Sequence, residues 1–261
     1  MREHHRRTID QLIERFKDDP AYPALIVGGS IAKGREQDDS DVDIVLVASA
    51  EEYALRVLNK NYHYYTTDLC DYPGGYVDGK VIDLAFLLEV AECGSEPARA
   101  AFADAFVAYS RLPEVDDVLK RIAVYPESEY ANKIHSFHAL LEALRWYVPE
   151  AEKREDRYLL LHAASDLALY GGRMILAYNR ILYPYHKWLA WELEHAPQKP
   201  AGFMALWHAL LEAPGKRTAD PFCDAVLGFT DWPKPPEGWV SRFIEDNEWN
   251  WRGRRPPIED W

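Results

Sequence analysis

Apolar runs and polar turns alternate along the first half of the chain, and their lengths predict strands and helices in succession. Apolar residues recur at three- and four-residue spacing through 8–16, which predicts a helix. Apolar runs at 24–27 and 42–47 predict two buried strands, separated by a Gly-Gly-Ser turn and a short helix at 31–35. The segment 51–58 again has helical spacing.

A second β-rich region follows at 62–88. It contains turn signals at 73–75 and at Asp78-Gly79, where proline and glycine interrupt the aromatic and β-branched residues. The apolar residues 81–87 predict a further buried strand, interrupted by Asp83. Aspartate is a poor strand residue, so we interpret Asp83 as a candidate functional side chain.

The chain changes character in its second half. All nine tryptophans lie at or after Trp146, and apolar residues recur at helical spacing from about residue 129 onward. Pro149 and several later prolines predict the ends of shorter helices, and we expect the final PPIEDW to be a loose end. We therefore predict an α+β protein, with an α/β domain at 1–112 that contains a mixed β-sheet and an α-helical domain at 113–261.

The composition is that of a globular chain with an acidic excess. Hydrophobic residues make up 48% of the 261 residues, which excludes a disordered chain, and the formal net charge is −13. Nucleic-acid backbones are bound by clustered Lys and Arg, so this charge disfavours DNA or RNA as the main partner. No run approaches the ~18 apolar residues of a membrane span, and the N-terminus lacks the apolar segment of a secretory signal. We expect a cytoplasmic protein with no membrane partner; the sequence does not indicate an oligomeric state.

Two aspartates at the start of the second strand are the first candidates for chemistry. Asp41 and Asp43 are two residues apart, so their side chains point to the same face of a strand. Asp83, on a nearby predicted strand, can supply a third carboxylate. Like charges packed together raise one another's pKa values, and a cation relieves that conflict. Oxygen ligands of this kind suit Mg²⁺, and a pair of ions can serve phosphoryl or nucleotidyl transfer.

The Gly28-Gly29-Ser30 turn is the second candidate. Glycines let a ligand approach the backbone closely, and Ser30 adds a hydroxyl donor. The helix that follows would direct free N–H groups at an anion. We predict that a triphosphate binds here, beside the metals. Lys33 either reaches a phosphate or is a surface lysine next to the turn, and the sequence leaves both interpretations open.

The stretch GGSIAKGREQDDSDVDIVLV, residues 28–47, resembles the signature of the DNA-polymerase-β-like nucleotidyltransferase superfamily. In that signature a Gly-Ser turn is followed by roughly ten residues and then by Asp-apolar-Asp-apolar, as in Asp41-Val42-Asp43-Ile44 here. The resemblance implies a nucleotidyltransferase-type sheet in which the first two carboxylates bind metal. A third, on a later strand, binds metal or acts as base, and Asp83 in KVIDLAFL matches it. The details also resemble the bacterial branch that modifies small molecules, the aminoglycoside and lincosamide nucleotidyltransferases.

Other candidate groups carry less weight. The three cysteines form no CxxC pair, which disfavours a disulfide framework and a thiolate zinc site. The pair His4-His5 lies on a helix end that we expect to fray, and His135 with His138 is typical of packed or solvated helical histidines. Zinc is therefore not expected.

The helical segment 166–187 has two interpretations. It combines an apolar aromatic pattern with Gly171-Gly172 and with polar residues that include Arg173 and Lys187. Either this face closes over the nucleotide, with Lys187 or Arg173 touching phosphate, or its polar groups bond within a helical core. The adjacent glycines predict close packing against another element.

We therefore expect an adenylyltransferase that transfers AMP from ATP to a hydroxyl of a small molecule, with two Mg²⁺ ions and release of pyrophosphate. An aminoglycoside-like antibiotic is one candidate acceptor. The predicted catalytic and metal-binding residues are Asp41, Asp43 and Asp83, and the predicted nucleotide-binding residues are Gly28, Gly29, Ser30, Lys33 and Lys187. The alternative is a non-catalytic nucleotide-binding or antitoxin-like interaction protein on the same scaffold. A transferase that acts on a polynucleotide is disfavoured by the acidic charge.

Overall fold

The computed structural model describes residues 1–253, and these divide into two compact units, Met1–Val124 and Tyr125 onward. The first unit is α+β and the second is helical, as the sequence predicts. The expectation for the tail PPIEDW falls outside the described residues. Among the described residues, no helix is long and apolar enough to cross a membrane.

The first unit is built around one five-stranded mixed sheet in the order β3-β4-β2-β1-β5. Strands β2 and β4 pair in parallel, and the other neighbouring pairs are antiparallel. In chain order its elements are α1 (Glu3–Phe16), β1 (Ala24–Val27), α2 (Gly29–Ala32), β2 (Val42–Ala48), α3 (Ala50–Asn59), β3 (His63–Thr66), β4 (Val77–Asp83), α4 (Leu84–Cys93), α5 (Glu96–Phe102), β5 (Phe106–Ser110) and α6 (Val115–Ile122).

The two faces of the sheet pack against different helices because strand side chains alternate between faces. On β2, Val42, Ile44 and Leu46 are buried with Leu12 of α1. On the opposite face, Val45 and Val47 belong to a core that includes residues of α4 and α6. Asp43 is an odd-numbered position of β2, so it lies on the second face, beyond the end of that apolar core.

Two predicted boundaries change in the structure. Residues 115–122 form α6, and Val115, Val118 and Ile122 are buried in the core of the first unit, which therefore continues past the predicted boundary at 112. The predicted strand at 81–87 is also wrong beyond Asp83, because α4 begins at Leu84. The strand instead begins at Val77 and runs through Asp78-Gly79, which the sequence analysis took for a turn.

The second unit consists of helices. After a 3₁₀ turn at Glu127–Glu129, these are α7 (Tyr130–Lys153), α8 (Arg157–Tyr178), α9 (His186–His195), α10 (Phe203–Glu212), α11 (Lys216–Leu227) and α12 (Trp239–Phe243), followed by a π-helical turn at Ile244–Glu248 and a 3₁₀ turn at Asn250–Arg252. Pro149 lies inside α7 and does not end it, contrary to the sequence-based expectation.

The close packing predicted for Gly171-Gly172 is confirmed. A Cβ added at Gly171 would lie 2.6 Å from Cζ of Phe222, and one added at Gly172 would lie 2.9 Å from Cδ1 of Leu193. Helix α8 therefore packs so closely against α9 and α11 that a larger residue at either position would require Phe222 or Leu193 to shift.

Candidate functional site

Two carboxylates stand where β2 begins. Asp43 is the second residue of β2 and is half-buried, and Asp41 lies one residue before the strand. The backbone N–H of Val42 donates to the carbonyl oxygen of Tyr76 at 3.0 Å, which fixes this part of β2 to the start of β4. The structure thus confirms the predicted strand, with Asp43 on it and Asp41 immediately before it.

The Gly28–Ser30 turn lies directly against Asp43. The N–H of Gly28 donates to the carbonyl oxygen of Asp43 at 2.9 Å. Gly29 has φ of +62°, and a Cβ added there would overlap the Asp43 carboxylate and lie 2.6 Å from its Cβ. Position 29 therefore requires glycine both for its backbone conformation and for the space that the Asp43 side chain occupies.

A third carboxylate, Asp78, lies beside Asp43 on the neighbouring strand. The parallel register pairs Asp43 with Asp78, so the two side chains share a face of the sheet. The edge strand β3 adds His63 to this face, and its Nε2 lies 2.5 Å from Oδ1 of Asp78. Asp78 was missed by the sequence analysis.

Tyr76 links the three carboxylates. Its pKa is raised above the ordinary tyrosine value, first by the charge of Asp41, then by burial, by a hydrogen bond with Asp41 and by the charges of Asp78 and Asp43. Asp43 and Asp78 are register partners, and Asp41 is hydrogen-bonded to Tyr76 just before β4. We name Asp41, Asp43 and Asp78 the carboxylate cluster.

Asp83 does not belong to this cluster, which corrects the predicted site. The register pairs Asp83 with Ala48, five positions along β2 from Asp43, or ~16 Å at the rise of a strand. Alternation also places it with Val77 and Val81, on the opposite face from Asp78. Asp83 is the N-cap of α4, where its carboxylate accepts from the N–H of Phe86 at 2.8 Å. Capping therefore explains why an aspartate stands at the end of this apolar strand.

Comparisons with known proteins give one family match and one similar solved structure. Residues 9–124 match the family model described as a nucleotidyltransferase domain. This part of the chain resembles a nucleotidyltransferase domain. The crystal structure of a nucleotidyltransferase-like protein from Exiguobacterium sibiricum 255-15 superposes with a TM-score of 0.49, at 10% identity, over 97% of this chain and 81% of that chain. A comparison with curated proteins finds no match.

The loop that leads into the carboxylate cluster is held by hydrogen bonds from His5 of α1 and from Tyr72. The carbonyl oxygen of Ser40 accepts hydrogen bonds from Nε2 of His5 at 3.1 Å and from the Tyr72 hydroxyl at 2.8 Å. His5 is fully buried, so it does not lie on a frayed end, and burial is the largest cause that lowers its pKa. His5 and Tyr72 therefore hold the backbone immediately before Asp41.

The two lysines predicted to bind the nucleotide, Lys33 and Lys187, lie in different units of the structure. Nζ of Lys33 donates to the carbonyl oxygen of Ala103 at 3.2 Å and lies 3.4 Å from Oδ2 of Asp104, and its side chain is only 10% exposed. This supports a structural role for Lys33 near the turn. Lys187 lies in the second unit at the exposed start of α9, with Nζ 6.0 Å from the centre of the Trp188 ring. Its predicted contact with a nucleotide stays a prediction.

Arg173 is packed inside the helical unit. Its guanidinium lies over the rings of Phe137 and Tyr183, with its central carbon 4.4 and 4.6 Å from their centres. This arrangement favours the interpretation that the polar residues of α8 stabilise the helical core, because two aromatic faces already contact the cation.

The carboxylate cluster has the donor chemistry for Mg²⁺. It supplies hard oxygen ligands from two adjacent strands, and its like charges are relieved by a cation. Over residues 1–253, however, no three Asp, Glu, His or Cys side chains are grouped as a metal site. The carboxylates turn to different neighbours: Asp43 to the Gly29 backbone, Asp78 to His63 and Asp41 to Tyr76. The residues fit the ion by the type of their ligand atoms.

Proposed function

We propose that the nucleotidyltransferase domain transfers AMP from ATP to a hydroxyl group of a small molecule and releases pyrophosphate. The observation that supports this proposal is that Asp43 and Asp78 are register partners on adjacent strands, with the Gly28–Ser30 turn next to Asp43. The family match of residues 9–124 supports nucleotidyl transfer in general. The adenylyl group, the acceptor and the metal are our inferences.

In this proposal the turn binds the triphosphate. Glycine at position 29 makes room for the Asp43 side chain beside the turn, and the Ser30 hydroxyl donates a hydrogen bond to the phosphate. The backbone hydrogen bond between Gly28 and Asp43 holds the turn next to the carboxylates, so a phosphate bound at the turn would lie near them.

Asp41, Asp43 and Asp78 would hold two Mg²⁺ ions. When bound, Mg²⁺ neutralises phosphate charge and stabilises the attacking and leaving oxygens. Nε2 of His63 lies 2.5 Å from Oδ1 of Asp78. We therefore assign Asp78 a second role, to accept the proton of the acceptor hydroxyl, with His63 orienting its carboxylate.

The acidic charge of the chain favours an acceptor that is neutral or cationic, such as an aminoglycoside-like antibiotic, over a nucleic acid. Modification of such an antibiotic would confer resistance. We place this activity in the cytoplasm, where ATP and Mg²⁺ are available.

A second candidate is a nucleotide-binding or antitoxin-like protein without catalysis. The observation that favours it is that all three carboxylates turn to neighbours within the protein and that, in the described residues, no metal site is preformed. The two candidates differ in turnover, since only an enzyme releases pyrophosphate.

The test is pyrophosphate release from ATP and Mg²⁺ with a panel of hydroxyl compounds, including kanamycin and lincomycin. We expect release that depends on one compound and stops with EDTA. Binding of ATP without any release across the panel would favour the second candidate.

A further inference from the structure

Three ring side chains lie together at the edge of the sheet: His63 and Tyr65 are exposed, and Tyr76 is half-buried. Tyr65 of β3 and Tyr76, next to β4, have ring centroids 5.6 Å apart at an interplanar angle of 33°. The His63 ring lies 6.1 Å from that of Tyr65. Tyr65 is 57% exposed. A ligand that covers its ring would bury a large apolar area. We name His63, Tyr65 and Tyr76 the aromatic shelf.

The shelf borders the carboxylate cluster directly. Tyr65 is the register partner of Asp78 across the antiparallel β3–β4 pair, and His63 is hydrogen-bonded to the same carboxylate. The carbonyl oxygen of Tyr76 accepts a hydrogen bond from the N–H of Val42 at 3.0 Å, so the other end of the shelf lies next to the segment that carries Asp41 and Asp43. A molecule that lies on these rings therefore lies within reach of the carboxylates.

The order of the strands shows where the shelf lies relative to the Gly28–Ser30 turn. The Gly28–Ser30 turn follows β1, the carboxylates stand on β2 and β4, and the shelf ends on β3, so the shelf and the turn lie on opposite sides of the cluster. In an in-line displacement the attacking and leaving oxygens also lie on opposite sides of phosphorus. If the leaving pyrophosphate is held at the turn, the acceptor approaches from the shelf.

Resting on the proposed function, we propose that the aromatic shelf is the acceptor subsite and that it binds a ring-bearing amine with a free hydroxyl, such as an amino sugar. The exposed ring faces suit the flat face of a sugar ring and attract an ammonium group. The neighbouring carboxylates repel anionic acceptors. The acceptor oxygen forms a bond to the α-phosphorus of ATP. The bond from the α-phosphorus to the oxygen that bridges to the β-phosphate breaks, and pyrophosphate leaves. The hydroxyl proton passes to the Asp78–His63 pair.

The test uses the full chain labelled with 3-fluorotyrosine, with Mg²⁺ and α,β-methylene-ATP present. Tyr→Phe variants assign the ¹⁹F signals of Tyr65 and Tyr76, and kanamycin, lincomycin and glucose 6-phosphate are then titrated. We expect at least one of the two amines, and not glucose 6-phosphate, to shift both signals. We also expect Tyr65→Leu to weaken that binding at least tenfold, read from Tyr76, whereas Tyr62→Leu on the same exposed edge leaves it within threefold.

Several outcomes overturn the inference. These are shelf signals that neither amine moves, signals that glucose 6-phosphate moves equally, or equal effects of Tyr65→Leu and Tyr62→Leu. If Tyr65→Leu fails to fold, Tyr65→Thr replaces it, because threonine is also a good strand residue. Binding of α,β-methylene-ATP is followed separately by ³¹P NMR. Its absence overturns the proposed function as well, whereas nucleotide binding with an unmoved shelf overturns the acceptor subsite alone.

Discussion

Strand β4 has an aspartate near each end, and the two aspartates have different roles. At its start, Asp78 lies next to Asp43, with His63 on its carboxylate. At its end, Asp83 lies next to Ala48 and caps α4. One carboxylate lies among other charges on an open face, and the other satisfies a backbone N–H at a helix start.

This difference shows that the surroundings of an aspartate in the sequence do not identify its role. Asp83 follows Val81 and Ile82, and so resembles a buried functional residue, while Asp78 precedes glycine and so resembles a turn. The register of β2 against β4 decides between them, because it sets which carboxylate lies next to Asp43. Removing each charge in turn tests whether that assignment is right.

The largest expected effect is on turnover. We predict that Asp78→Asn lowers pyrophosphate release from ATP at least ~100-fold, since it removes a carboxylate that would contact metal and acceptor. Asp83→Asn is the matched control and should stay within threefold of wild type, because asparagine is also a good N-cap. The reverse ranking would return Asp83 to the site and contradict the proposed role of the register.

The turn beside Asp43 gives the next effect. Gly29 and Gly34 have φ of +62° and +64°, but an added Cβ overlaps Asp43 only at Gly29 and has nothing within 4 Å at Gly34. We predict that alanine at either position costs ~1–2 kcal/mol of unfolding free energy through the backbone alone. Only Gly29→Ala should also weaken Mg²⁺-dependent ATP binding, by tenfold or more in calorimetry. Equal loss of affinity in both variants would mean that contact with Asp43 is not important.

A smaller effect is expected at the other end of β4. Asp83→Ala removes the cap of α4 and should lower the free energy of unfolding by ~1 kcal/mol, while Asp83→Asn should restore most of it. Denaturant unfolding measures both variants. A loss of activity without a loss of stability in Asp83→Ala would argue against the capping role.

The smallest expected effect is on the pKa values of Tyr76 and Tyr53, which lie near the two ends of β4. The charge of Asp41 is the largest cause of the raised pKa of Tyr76, whereas burial, followed by the charge of Asp83, raises the pKa of Tyr53. Removing a negative charge makes a phenolate easier to form, so Asp41→Asn should lower the pKa of Tyr76 and not that of Tyr53. Asp83→Asn should slightly lower that of Tyr53 only. Tyrosine ¹³C NMR titration measures both; a shift of both pKa values in either variant would place all these charges together.

The sequence predicted the parts of the fold that depend on local pattern. Strand β1, the start of β2 at Val42, and the close packing of Gly171 and Gly172 were all predicted from residue type and spacing. The start of β4 was not, because Asp-Gly is a turn signal in isolation. Gly79 is in fact a strand residue that leaves room for Ile44, since an added Cβ would lie 2.6 Å from its Cγ1.

The candidate site was predicted in part for the same reason. Asp41, Asp43 and the glycine turn are close in sequence, so local spacing is enough to group them. Asp78 and His63 reach the site only through pairing between strands, which no local pattern encodes. The repeated Val-Asp pair, Val42-Asp43 and Val77-Asp78, was the available signal.

The central claim is that Asp43 and Asp78, and not Asp83, hold the catalytic metal. A crystal of the chain with α,β-methylene-ATP and Mn²⁺ in place of Mg²⁺ tests it through the anomalous scattering of manganese. We predict a peak within ~2.0–2.3 Å of carboxylate oxygens of Asp43 and Asp78, with phosphate at the Gly29–Ser30 turn. Phosphate at the turn with no manganese on these carboxylates, or manganese bound to Asp83, would contradict the account.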